Sequence, residues 1–529
     1  MMKVNKILVL GMLVTSIFAS CSNEDTAENG SKGLVNGDAY ITLSVSGSGI
    51  QGSRTTGDKH QDATPDESKI NNLALYLVDH ISKTVVFSTD VAAEQLISNT
   101  ATNPTYTTTP IPVTGVGTGV ILDTPYDVYV VANKTVSDVA IAKGDNWDAA
   151  KVLKATNSDA SDFYKSATGG NFAMFNEANT PGVDANGKVT ITSTNDSKSN
   201  PAKVNANGTT VKPINLDRLT AKIQAQDGSA SASSSNLDIS GITVKQASFI
   251  SGISMVGYVI LNGGQSTYLQ QTWSGTPAPY VLNTPSSNTF YGLFTDYATV
   301  TPGTTAGTYI KIMDNTSDDQ FTKTKDPVYC LENNTEVENS KDKVTNTTGL
   351  ILKYQVTVNS SDGLGSDGLA GSNCFYGYNG QYFATLDAIQ ATYPNVFGTG
   401  VAATDLQNAK DLLKNGTGNA TEKSISDFRV KYNIEVFRNG IMYYTYFIKD
   451  QNYTDPKITT PDADKHIYAV LRNTVYDLHV ASLLRIGNDI PGGWNPGDQN
   501  TTVDQKDYYM QVQVSVNPWV LSSTDIDLQ

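Results

Sequence analysis

The side chains that carry most protein chemistry are scarce here: four His and three Cys in a chain of 529 residues. His60, His80, His466 and His479 form no His-x-x-x-His pair, so a helix-borne zinc site lacks its ligands. A Gly-x-Ser-x-Gly elbow, which would expose a nucleophilic serine, does not occur, and neither does a Gly-x-x-x-x-Gly-Lys-Ser/Thr loop, which would wrap a phosphate. Gly115-Val116-Gly117-Thr118-Gly119 lacks dinucleotide-binding spacing and reads as a turn. The stretch Asp362-Gly363-Leu364-Gly365-Ser366-Asp367-Gly368 offers carboxylates to calcium, but no acidic residue closes the shell. No metal, no cofactor and no catalytic residue is expected, and the chain reads as a non-enzyme. A pair of scattered carboxylates meeting in a cleft is the hydrolytic arrangement that one sequence leaves open.

One thiol has a specified chemistry. Met1 to Lys6 is a short basic start, and the apolar run 7–18 is too short to remain as a membrane anchor, so the N-terminus is a secretory signal. The run ends in Phe18-Ala19-Ser20-Cys21, followed by Ser22-Asn23-Glu24-Asp25. This resembles a bacterial lipobox, with Phe18 where Leu is usual, in which the Cys21 thiol takes the lipid and becomes the mature first residue. The expected product is a Gram-negative lipoprotein held on the outer membrane through that lipid. No later stretch approaches ~18 consecutive apolar residues. Cys330 and Cys374 either form a disulfide in an oxidising compartment or stay as two buried thiols.

The elements that carry these residues are strands. Lys plus Arg is 37 against Asp plus Glu 52, a net charge of −15, which removes the basic face that nucleic-acid binding needs. Only 17% of residues are charged, which suits pleated strands and tight turns better than long surface helices. The fold class is all-β with short helical insertions. Strands are expected at 70–78, 84–88, 128–132, 189–193 and 213–226, with a short helix at 149–153. After a Gly/Ser/Ala-rich break around 227–236, strands follow at 242–249, 255–261, 329–332, 350–358, 434–448, 466–480 and 508–521, with helices at 388–393 and 406–414. The resulting division is a signal peptide at 1–20, a propeptide at 21–54, sandwich domains at 55–228 and 236–491, and a tether with a last strand at 492–529.

Two segments alternate strictly. Ala39, Ile41, Leu43 and Val45 share one face of the first strand, and the loop after it, 47–59, has almost nothing to pack and carries Arg54. Met510, Val512, Val514 and Val516 share one face of the last, which ends in Asn517-Pro518-Trp519. That last segment is either the final strand of the final sheet or an end able to swing away on the tether 492–502.

The lipobox, Gln51-Gly52-Ser53-Arg54-Thr55 after the first strand, Tyr329-Cys330-Leu331-Glu332, the stretch 470–480 around Arg472-Asn473-Thr474, and Val514-Ser515-Val516-Asn517-Pro518-Trp519 occur in the order found in Bacteroidales fimbrillins. The chain resembles a major fimbrial subunit of the short, Mfa-type fimbriae, the type V pilins. The resemblance implies two transthyretin-like antiparallel β-sandwich domains and a lipidated precursor. It also implies cleavage after Arg54 by a surface Arg-specific protease, leaving Thr55 as the new N-terminus. Ala39, Ile41, Leu43 and Val45 then form the removable strand, and Met510, Val512, Val514, Val516 and Trp519 the donor strand, with Trp519 a plug at the rim. Its implied partners are other copies of itself in a head-to-tail polymer and the fimbrial tip and anchor subunits. The implied place is a cell-surface fimbria serving adhesion, co-aggregation or biofilm formation.

Physics makes the scheme coherent. A tethered strand sits beside its groove at an effective concentration in the ~mM range, so a partner's tail displaces it only after the loop is cut. Four apolar side chains then bury about 1.5–3 kcal/mol each in gross terms, less the costs of ordering and association. A tip or anchor subunit, or a surface glycan-binding lipoprotein, are the alternatives. An anchor would keep its first strand, a tip need not donate a tail, and a glycan binder would display Trp and Tyr platforms, of which four Trp make a faint mark.

Overall fold

Segment 39–47 buries Ala39, Ile41, Leu43 and Val45 to at most 1% exposure and leaves the residues between them half-buried, as period two requires of a strand with one face inward. The computed structural model describes residues 39–47, 61–98, 105–117, 119–148, 150–165, 171–176, 187–207, 210–228, 237–243, 247–274, 281–294, 320–334, 343–359, 374–414, 421–454, 466–493 and 510–520.

The first unit is built from β1 (Ala39–Thr42), β2 (Ser44–Gly47), β4 (Leu73–Asp79), β5 (Val85–Val91), β6 (Thr105–Thr108), β7 (Ile111–Val113), β8 (Pro125–Ala132), β9 (Met174–Asn176), β10 (Ala202–Lys203) and β11 (Ile214–Arg218), while β3 (Gln61–Asp62), between β2 and β4 in the chain, joins the second unit's sheet. A nine-stranded sheet runs β5-β4-β8-β9-β11-β2-β6 and ends at Leu96–Ser98, with Gly187–Thr190 also paired to β8. A three-stranded sheet runs β10-β1-β7. The chain 39–47 therefore leaves one sheet and enters the other at Leu43. The apolar run of β4 is buried throughout because both its faces are covered: Leu73, Leu75 and Leu77 face the core that holds β1 and β2, and Ala74, Tyr76 and Val78 face the other way. Before β4 stands one turn of helix, α1 (Pro65–Ser68). Thr64 accepts the Glu67 N–H, the Glu67 carboxylate accepts the Thr64 N–H at 2.7 Å, and Pro65 presets the first turn.

The second unit uses β12 (Thr220–Asp227), β13 (Ile250–Leu261), β14 (Val328–Leu331), β15 (Gly349–Val358), β16 (Ile441–Phe447), β17 (Thr474–Leu483) and β18 (Met510–Val520). One sheet runs β14-β12-β17-β18-β3, and the other runs from Thr322–Lys323 through β13 and β15 to β16. Leu352 and Tyr354 of one sheet and Tyr476 and Leu478 of the other share one core, and the Tyr354 hydroxyl donates across it to Asp227 at 2.8 Å. In both units a tyrosine hydroxyl accepts a backbone N–H from five residues upstream, Ile121 to Tyr126 at 2.7 Å and Leu471 to Tyr476 at 2.8 Å, a tie that fixes sandwich corners. Helices α2 (Leu386–Thr392), α3 (Ala402–Leu413) and α4 (Glu422–Tyr432) form a satellite with its own core around Ile389, Leu406, Leu413 and Phe428.

Several expectations are corrected. Of the helix expected at 149–153, the described residues 150–153 are not helical: Val152–Lys154 is a strand paired with Ser266–Tyr268. Where a strand is expected at 242–249, the described residues give a helical turn at Ser240–Thr243 and no strand at 247–249, and the next strand is Ile250–Leu261. The run 434–448 breaks at Asn439 and Gly440, both with positive φ. The run 213–226 is two strands: after Arg218 the chain passes Leu219 and joins the second unit's sheet, so β12 lies with β14 and β17 although it precedes the low-complexity break. That break, like the 362–368 loop, lies outside the described residues. Cys330 and Cys374 are buried thiols and form no disulfide, the first in the large core and the second in the helical satellite.

Candidate strand-exchange site

Segment 39–47 has a strand on each side. β1 lies antiparallel to β7, with Ile41 opposite Ile111, and parallel to β10, with Ile41 opposite Ala202. β2 lies antiparallel to β6, with Ser44 opposite Thr107, and parallel to β11, with Val45 opposite Ile214. Tyr40 N–H donates to Asn195 O at 2.8 Å, Thr108 N–H to Leu43 O at 3.0 Å and Val204 N–H to Thr42 O at 3.0 Å. The other face is read by side chains. Thr42 Oγ1 donates to Thr108 O at 2.9 Å, Ser44 Oγ and Thr107 Oγ1 are 2.9 Å apart, and Ser46 Oγ donates to Asn215 Oδ1 at 3.0 Å. Beneath the strand, Val204 and Ile214 close in on Gly187, where a Cβ would stand 2.9 Å and 2.7 Å from them, so only glycine lets this wall pack. Without 39–47 the unit would hold an apolar slot lined on both rims by unpaired main-chain groups, a state that needs another strand to fill it.

The strand at the other end of the chain is held far less completely. β18 pairs antiparallel with β17, from Met510 opposite Leu483 to Pro518 opposite Thr474, with a bulge between Val480 and Ser482. On its other side it pairs with β3 at two positions, Gln61 opposite Trp519 and Asp62 opposite Val520. Met510 is 6% and Val514 8% exposed, and Val512 and Val516 are half-buried against the second unit's core. Peeling β18 breaks one long main-chain ladder with β17 and a two-residue pairing with β3, whereas 39–47 is paired on both sides along its length.

The chain at α1 is held in place by interior charge. Glu67 of α1 pairs with Lys222 Nζ at 2.9 Å and accepts the Tyr329 hydroxyl at 2.7 Å, and Arg218 Nε donates to the Glu67 carbonyl at 2.8 Å. Arg218 Nη1 also reaches Asn473 Oδ1 at 3.1 Å. Burial alone would raise the Glu67 pKa, but the Thr64 N–H, Lys222 and Tyr329 together hold it below the usual carboxylate range. Burial lowers Arg218 to about 10 against the opposing pull of Glu67 and Asp217, so both partners stay charged near neutrality. Opening such a buried pair is costly. A cut in 48–60 therefore separates 39–47 from a remainder that stays fixed from α1 onward.

The sequence brought the four inward residues of each terminal strand to one face, and each set lies on one face here. Cys21, Arg54 and Thr55 lie outside the described residues, and of Trp519 only its place in β18 is described. Sequence reasoning missed the hydroxyl and amide pairs across the slot, whose signals were the Thr107-Thr108-Thr109 run and alternate Thr42, Ser44 and Ser46. It also missed the Glu67, Arg218 and Lys222 cluster, drawn from distant parts of the chain. Among the described residues no group of three or more His, Cys, Asp or Glu is placed to hold a metal ion.

Paired sandwiches with an alternating strand near each end define an all-β protein of β-sandwich class. Residues 39–218 match the family model described as major fimbrial subunit protein (FimA), and residues 435–525 match that of the major fimbrial subunit protein type IV, fimbrillin, C-terminal. Between them the two matches span about half of the chain and contain both terminal strands. The chain belongs to the Bacteroidales major fimbrial subunit family, the fimbrillins, and is a non-enzymatic structural subunit of a cell-surface fimbria. No curated protein matches its sequence. Among solved structures it is similar to a fimbrilin (fimA) from Porphyromonas gingivalis W83, at 13% identity and a TM-score of 0.42, over 93% of this chain and 100% of that one. It is also similar to the tip fimbrial protein Mfa3 from Porphyromonas gingivalis with C-terminal truncation, at 11% identity and a TM-score of 0.35, over 91% and 100%. A fimbrial assembly protein from Parabacteroides distasonis ATCC 8503 aligns at 14% identity and a TM-score of 0.24, over 48% and 76%. Likenesses at these scores add nothing to the family assignment, which rests on the two sequence models.

Proposed function

We propose that this fimbrillin is a shaft subunit that polymerises by strand exchange. It is exported as a lipoprotein anchored through Cys21 and cut after Arg54 by an Arg-specific protease. It sheds the segment containing 39–47 and receives in the vacated slot the strand 510–520 of the next subunit. The contrast between the two ends carries this reading: a strand with four fully buried side chains, paired on both sides, lies upstream of the Arg54 segment, and a strand of the same alternation, paired along its length with β17 alone, lies near the other end. A shaft subunit needs both, because each copy must receive and donate. The contact is heterologous and does not close on itself, so it propagates as a filament. Tip and anchor subunits are its partners at the ends, and other copies along the length. Arg54→Ala is expected to leave unpolymerised lipidated precursor at the surface. Fibres of normal length from that variant would overturn the processing step.

A further inference from the structure

Position by position, the slot and the tail restrict how they fit. We propose that the donor strand enters in a single register and direction: Met510 takes the place of Ala39, Val512 of Ile41, Val514 of Leu43, Val516 of Val45 and Pro518 of Gly47, a placement that rests on the strand-exchange reading above. Thr107 and Asn215 of the receiving subunit then select Ser515 and Asn517 of the donor.

Proline sets one limit. Thr108 N–H donates to Leu43 O, which makes Ser44 and Thr107 the narrow, non-bonded pair of the antiparallel ladder and Val45 and Tyr106 the bonded pair. Moving the tail two residues further in puts Pro518 at Val45, between β6 and β11, where a main-chain donor is required and proline has none. At Gly47 the ladder with β6 has ended, its last pair being Ser46 and Thr105, and the residue before Thr105 is itself Pro104.

Volume sets the other limit. Moving the tail two residues back brings Tyr508 to the position of Ala39, which is fully buried, and a ring there overfills the site. Met510 is unbranched and bends into irregular space. A slip of one residue turns every apolar side chain outward.

The polar face agrees with the same placement. Ser515 replaces Ser44 with an identical hydroxyl opposite Thr107 Oγ1, and the Asn517 amide can donate to Asn215 Oδ1 where Ser46 Oγ now does. Running the strand backwards would face Thr107 with Gln513 and place Met510 at Gly47. It would also reverse the sense of both ladders.

Cysteine pairs test the register in the assembled fibre. Thr107→Cys with Ser515→Cys, and independently Thr105→Cys with Asn517→Cys, place thiols at two narrow pairs, where disulfide geometry is met. In the unpolymerised chain Ser515 faces Asp477 and Asn517 faces Val475, so neither pair closes within one subunit. Each variant is expressed in cells that assemble the fimbria, and the fibres are run on non-reducing gels. The two matched pairs are expected to give ladders that reductant collapses, at least about tenfold stronger than Thr107→Cys combined with Gln513→Cys or Asn517→Cys. A ladder from a mismatched pair instead overturns the register while leaving strand exchange intact. Fibres of normal length with no crosslink from any pair overturn both.

Discussion

Leu43→Ala separates the precursor from the polymer. Leu43 is 1% exposed at the point where 39–47 passes from one sheet to the other, packed in the core with Ile111, Ile214 and Leu216. Truncating a leucine so placed costs about 2–5 kcal/mol, transfer and cavity together. At about 2 kcal/mol per M of urea, the unfolding midpoint of the precursor's first unit falls by about 1–2.5 M. Trp147, stacked on Tyr129 at 4.1 Å, supplies a fluorescence signal for that unit. Once 39–47 is shed, residue 43 is no longer in the particle and Val514 of the neighbour stands in its place. Fibres assembled from Leu43→Ala should then dissociate in heated detergent at the same temperature as unmodified fibres. Fibres weakened in step with the precursor would refute the reasoning, since residue 43 would still be holding them together.

Val514→Asp places a carboxylate where the slot accepts only an apolar group. Because Val514 is also buried in the precursor, β18 should detach there as well while the first unit keeps its unfolding midpoint; electron microscopy should find no fibres, and fibres of normal length would contradict the donor role of β18. Burial, and then the charge of Asp489, push Glu435 up from the usual 4.5 to about 7, with Arg429 opposing. A carboxyl raised in the folded state costs stability as it ionises, so this group makes the protein less stable as pH rises from about 4.5 to about 7. Glu435→Gln removes that penalty. Thermal unfolding should show it more stable than the unmodified protein at pH 8, by up to about 3 kcal/mol, and equal to it at pH 4; the same difference at both would contradict the assignment. Cys330, its thiol pushed up to about 12 by burial, and Cys374 should resist a thiol reagent in the folded protein and both react after unfolding without reductant, whereas a disulfide would leave neither to react.

The terminal strands were legible because period two is a local signal: Ala39 to Val45 and Met510 to Val516 declare an inward face without reference to any neighbour. What the inward face meets is not local. The change of sheet is marked only by a slip of phase, from Ile214 and Leu216 to Leu219, Ala221, Ile223 and Ala225, which reads as one continuous apolar-rich run at 213–226 unless the two halves are counted separately. Val152–Lys154 is a strand because Ser266–Tyr268 lies beside it, and a partner a hundred residues away has no echo at 149–153. Helix α4 did carry a local signal, a Thr421 cap with Ile425, Phe428 and Tyr432 turned inward, but interleaved Lys and Asp masked it. The Glu67, Lys222 and Tyr329 cluster inverts the ordinary expectation that charged residues stay outside, and only the folded chain brings its three parts together.

Peptide mass mapping of fibres stripped from the cell surface tests the exchange most directly. The account predicts subunits that begin at Thr55 and contain 510–520 but no peptide from 39–47. A different start within 48–60 would move the cut and keep the exchange. Assembled subunits that retain 39–47 would contradict it, because the slot into which a neighbour's strand must go would still be full.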